Sequence, residues 1–189
     1  MRIFVKEFKR GFSSCLSMVY LKDVPVNIGT IRFNGIVDLS GLFKIMRDWL
    51  VDHEYEFYEK TFKSKAYPEG IKKELEWTAG KDVTDYIRYT IDIYIVAFNI
   101  MDVEVIRNGK KAKLTSCRLV IELKGKVEMD PYNRFGGSKF LQNLQDWYHR
   151  YIIKRDILFI YADGFYYHAL KLHRIIKEYL EFETKTSSK

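Results

Sequence analysis

The sequence predicts an α+β fold: an antiparallel meander of four to five strands with a long central hairpin, one helix before it, and two helices after it, or one long broken helix, covering one face. Three observations carry the prediction. Between Thr84 and Asp130, apolar residues recur at every second position in two long runs joined at Asn108-Gly109, a dipeptide that favours a type I′ turn. The hydrophobic period changes from two to about 3.6 both before and after the strands. The helical stretches also stand at the two ends of the strand run rather than alternating with it, which separates α+β from α/β.

The elements follow in order. Residues 1–22 carry Arg2, Lys6, Lys9, Arg10 and Lys22 against Glu7 alone, a net +4, with Phe4, Phe8, Phe12, Leu16 and Val19 at near-helical spacing. Residues 1–28 therefore read as a basic amphipathic segment, suited to an anionic membrane surface or to packing on the body. A targeting peptide fits less well, because Ser13, Ser14 and Ser17 dilute the apolar run and no small-residue cleavage pattern follows. Residues 29–183 form one domain, and 184–189 a frayed tail.

Pro25 to Gly29 reads as turn material, and Thr30 to Val37 as a short edge strand. Asp38 then caps a helix whose stripe is Leu39, Leu42, Phe43, Met46, Trp49 and Leu50. Strands near Glu54–Lys65 and Ile71–Thr78 flank a Tyr-Pro-Glu-Gly turn at 67–70. In the hairpin, Ile87, Tyr89, Ile91, Ile93, Ile95, Ala97, Met101, Val103 and Val105 share one parity, and Cys117, Leu119, Ile121, Leu123, Val127 and Met129 answer them. Short turns make sequence neighbours spatial neighbours. Ser138 caps a helix bearing Phe140, Leu141, Leu144, Trp147, Tyr148, Tyr151 and Ile152. Ile157–Tyr161 reads as its continuation, and from Asp163 a last helix turns Phe165, Ala169, Leu172, Ile176, Tyr179 and Leu180 inward.

At 189 residues, 47% hydrophobic and 30% charged, the chain can bury a core. Its +7 charge favours anionic partners, although 25 acids offset 32 bases. Two cysteines are too few for a disulfide framework or a thiolate zinc site and suit a reducing, cytoplasmic setting. Cys117 reads as a buried, inert thiol. No uninterrupted apolar run is long enough for a transmembrane helix.

No catalytic signature emerges. Glu54 with Glu56 and Glu74 with Glu76 place carboxylates side by side, as a metal or acid/base site requires, yet both pairs oppose core residues and read as the solvated face of the sheet. Ile91, Ile93 and Leu119 should be shielded while Glu74 and Asp92 stay hydrated. His168 and His173, five residues apart, fall about 140° apart on a helix, which argues against a shared metal. Gly136-Gly137-Ser138 lacks the lysine of a phosphate loop. Tyr86, Tyr89 and Tyr94 could stack on bases, but no RNA-platform motif accompanies them. Lys171, Arg174 and Lys177 read as a solvated helix face.

The basic hairpin tip, Arg107, Lys110, Lys111 and Lys113, is the predicted anion- or partner-binding site. These readings lead to a non-catalytic binding or assembly protein, engaging a macromolecular partner or a second copy through its long hairpin and outer helices. An alternative is a carrier holding an apolar or amphipathic small molecule among Trp77, Tyr89, Phe98, Trp147 and Phe165. A third is nucleic-acid or anionic-membrane binding through that basic tip, with residues 1–22 a separate candidate for peripheral membrane contact. No cofactor and no metal is expected.

Overall fold

The computed structural model describes residues 23–68, 70–107, 110–134, 137–148, 151–152 and 154–187, with side chains undescribed at 105–112, 146, 154, 158 and 182–187. Residues 1–22 and Asn108-Gly109 lie outside the described residues. The chain runs β1 (Asp23–Val37), α1 (Leu39–Asp52), β2 (Glu56–Tyr67), β3 (Gly70–Thr84), β4 (Ile87–Arg107), β5 (Lys110–Met129) and α2 (Lys139–Tyr148). A single turn at Lys154–Asp156 and a π-helical stretch, Ile157–Ala162, then lead into α3 (Asp163–Ser187).

The five strands form one antiparallel sheet in the order β1-β5-β4-β3-β2. Strands β2 to β5 are the expected meander. The last described pair of the central hairpin is Arg107 with Lys110. The first strand takes the far edge beside β5, and α1 carries the chain back across the sheet to β2.

β1 starts at Asp23, so Pro25 to Gly29 belong to a strand rather than a turn. An edge strand paired on one side only tolerates the missing N–H of Pro25. Gly29, at φ 146°, sits where the register slips between Asn27 and Gly29, a bulge that glycine's freedom permits. The single parity read for β4 also breaks. Asn99 adopts φ 53°, and the register shifts between Phe98 and Met101. Met101 and Val103 therefore stand opposite Ser116 and Leu114, on the other face from Ile95 and Ala97.

One sheet face is the core. Ile91, Ile93, Ile95, Leu119, Ile121, Leu123, Leu75, Trp77 and Ala79 are buried there beneath Leu42, Met46 and Leu50 of α1 and Phe165, Ala169, Leu172 and Ile176 of α3. Asp38 caps α1 by accepting the Ser40 N–H at 3.0 Å. The other face is wet. The Glu74 and Asp92 side chains keep 40% and 20% of their accessibility, while Ile91, Ile93 and Leu119 keep at most 1%.

Candidate interaction site

The helix α2 starts where Ser138 supplies both a cap and the first helical carbonyl: its Oγ accepts the Phe140 N–H at 3.3 Å and its carbonyl accepts that of Gln142 at 3.0 Å. With 3.6 residues per turn, Phe140, Leu144 and Trp147 fall within an arc of about 60°, and Gln145 lies about 140° from Phe140. An apolar stripe of this kind ordinarily faces a core. Here it faces outward, with Phe140 72% and Trp147 53% exposed.

The helix is mounted by its polar edge. Gln145 Nε2 donates to the Tyr86 hydroxyl at 3.1 Å and to Asp130 Oδ2 at 3.2 Å. Asp130 is itself buried at the end of β5, where its N–H donates to the Tyr86 carbonyl and its Oδ1 accepts the Arg134 N–H at 2.8 Å. The mount is thus a hydrogen-bonded anchor at one end of the sheet. Further along the chain Tyr151, beside Trp147, and Ile152, Phe159 and Ile160 are exposed as well. Of seventeen exposed large hydrophobic residues among the described ones, ten lie between Tyr132 and Tyr167, so they are concentrated in this stretch of the sequence.

The residues expected to carry function fare differently. Lys113 is exposed near the hairpin tip, while the side chains of Arg107, Lys110 and Lys111 lie outside the described residues. The five aromatics of the expected carrier site are not brought together. Trp77 packs edge-on against Phe43 and Phe57, with ring centroids 5.6 and 4.9 Å away, and its indole N–H donates to Glu59 Oε2 at 3.1 Å. Tyr89 and Phe165 pack together at 4.6 Å, and the Tyr89 hydroxyl donates to the Tyr161 carbonyl. Phe98 lies on the opposite sheet face beneath the Lys72 ammonium, and Trp147 stands out on α2.

Each predicted carboxylate faces a cation. Lys81 meets Glu54 and Arg88 meets Glu56, both at 3.1 Å; Lys72 meets Glu74 at 2.6 Å, and Lys60 meets Glu76 at 3.8 Å. The Lys72 hydrogen bond holds the Glu74 carboxyl below its ordinary range. A polar concavity of about 280 Å³ on this face is lined by Lys60, Arg88, Asp92, Lys126 and Glu128 over Thr78 and Thr90. Three cations face two carboxylates there, a net charge of +1 on the lining, and Lys60 is paired with Asp92 and Lys126 with Glu128.

A third cluster was invisible to sequence reasoning, because α1 and α3 meet only in the fold. His168 packs against His53, Trp49 and Tyr55, with ring centroids at 4.9, 5.1 and 6.0 Å. His53 Nδ1 lies 2.8 Å from the Trp49 carbonyl. Burial, then the proximity of His53, Lys171 and Lys81, pushes His168 down to about 4. His173 is separate, against Gly29. Among the described residues no group of three or more His, Cys, Asp or Glu can hold a metal. The Cys117 thiol is pushed up to about 11 by burial, which keeps it protonated and unreactive.

No protein-family model and no curated protein matches this chain. No helix among the described residues is long and apolar enough to cross a membrane.

Proposed function

We propose that this is a non-catalytic binding protein that engages its partner through the outer helix α2 and the helical segment following it. One observation carries the reading: α2 turns an aromatic stripe to solvent while a polar side chain, Gln145, holds it to the body. Exposed Phe and Trp concentrated on one helix face are typical of an interface core, where such residues supply most of the binding energy. The sheet and the α1/α3 layer form the platform. The carboxylates Glu54, Glu56, Glu74 and Glu76 are ion-paired and His53 and His168 pack in an aromatic cluster, which supports binding over turnover among the described residues.

The test is site-specific photo-crosslinking in native extract. A photoreactive phenylalanine at position 140 should give a discrete adduct with protein or lipid, and one at Tyr58, on the opposite sheet face, should not. The absence of any adduct at 140, with adducts at 58, would overturn the reading.

A further inference from the structure

We infer that β2 is a self-complementary edge at which a second copy of this chain adds antiparallel, about a two-fold axis between Glu59 and Lys60. The inference stands apart from the docking role of α2. β2 is the last strand of the sheet order, so among the described residues no strand lies beyond it. The outward N–H and C=O groups of such a strand are a template for another. The opposite edge is blunted, because β1 carries Pro25, slips register at Gly29 and lies against α3. β2 has neither proline nor glycine.

The charges of β2 are sorted along it. Glu56 and Glu59 come first, then Lys60, Lys63 and Lys65. A parallel neighbour of the same sequence would set like against like, whereas an antiparallel one sets acid against base. With the axis between Glu59 and Lys60, Glu56 faces the partner's Lys63, Phe57 the partner's Phe62, and Tyr58 the partner's Thr61. Lysines on an edge strand ordinarily repel another edge. Here they repel every neighbour except one that presents acids in the reverse order.

Facing residues must also share a side of the sheet. In an unbroken strand, residues an odd number apart point to opposite sides, which would forbid this register. The bulge between Glu59 and Thr61 shifts the alternation by one and permits it. Glu56 and Lys63, opposite Gly80 and Glu74, both lie on the wet face, where Glu56 meets Arg88. Phe57, edge-on to Trp77, and Phe62, opposite the buried Leu75, both lie on the core face. The axis runs through the bulge, so one copy's extra residue is matched by the other's.

The pairing also covers apolar surface that the monomer leaves bare. Phe62 is 55% exposed, while Phe57 is half-buried under Arg47 of α1, whose guanidinium carbon lies 5.7 Å from the ring centre. Antiparallel addition sets the covered half of one copy beside the bare half of the other. A single edge-to-edge ladder buries little area and gives a weak dimer. It forms in concentrated solution, and a probe at Tyr58 in dilute extract stays unpaired.

The test is sedimentation equilibrium of the full chain from about 5 to about 500 μM. The protein should pass from monomer to dimer and no further, and added salt should weaken the dimer. Glu56→Lys alone, or Lys63→Glu alone, turns two symmetry-related attractions into repulsions and should raise the dissociation constant about tenfold. The double variant, Glu56→Lys with Lys63→Glu, exchanges the pair and should restore it to within about two-fold. A monomer throughout the range would overturn the inference, as would single variants that dimerise like the wild type or a double variant no better than the singles. Growth beyond the dimer would mean that β2 meets β1 of the next copy, and the two-fold pairing would be wrong. A dimer lost in Phe140→Ser with Leu144→Ser but kept in the charge variants would move self-association to α2.

Discussion

Replacing Gly125 by alanine tests how α3 seats on the sheet. Gly125 is buried in β5 between Val26 and Ile91, and the Phe165 ring fills the space its missing side chain leaves. A Cβ there would stand 2.5 Å from Phe165 Cε1, 2.8 Å from Cζ and 3.3 Å from Ile28 Cδ1. The ring has little room to move, because it is fully buried and packs against Tyr89 at 4.6 Å. Overpacking of this kind costs about 1–3 kcal/mol. Removing glycine from a strand returns about 0.5–1 kcal/mol. Gly125→Ala should therefore destabilise by about 1–2 kcal/mol in urea titration, at unchanged denaturant slope. In a Phe165→Leu background the clash is gone, and the same substitution should become neutral or stabilising. Wild-type stability in Gly125→Ala, or equal effects in the two backgrounds, would refute the packing argument.

Three other measurements probe the remaining parts of the fold. Gly80→Ala places its Cβ 2.6 Å from Arg88 Nη2, yet the guanidinium can swing toward solvent. Since that loses only exposed contacts to Glu56 and Asp82, its cost in the same titration should stay below about 1 kcal/mol. Tyr55→Phe removes a buried hydroxyl with no hydrogen-bond partner and should raise stability by about 1 kcal/mol; a loss of stability would show that the hydroxyl is satisfied. His168 protonates near 4 in the folded chain and near 6.5 when unfolded. The unfolded state thus binds more protons between those values, and stability falls as pH drops through that window; by pH 4 the loss is about 3 kcal/mol. The wild-type difference between pH 7 and pH 4.5 should shrink accordingly in His168→Gln, and an unchanged difference would mean that the ring is solvated.

Alternation along Ile87–Ala97 and Cys117–Val127 made the sheet legible, because a period of two has only one physical reading once a face is buried. The stripes of α1 and α3 were legible for the same reason. Misreadings occurred where backbone geometry overrode pattern. Asn99 takes a left-handed conformation and hands the apolar run to the other face, and Pro25 is admitted to a strand because that strand is an edge. The contact between His53 and His168 depends on docking two helices 115 positions apart, for which no local signal exists.

The direction of α2 is the instructive case. Phe140, Leu144 and Trp147 mark an amphipathic helix in any reading, but periodicity only says that one side is apolar, not what it faces. That is decided by competition for the sheet. The one buried face is already occupied by α1 and by α3, whose Phe165 enters the gap at Gly125. The other face carries charged ladders that an apolar stripe would have to desolvate. With neither face open to it, the helix gains more by satisfying Gln145 at Tyr86 and Asp130 than by displacing a better-packed neighbour. The stripe is left outward, where a partner's surface can bury it.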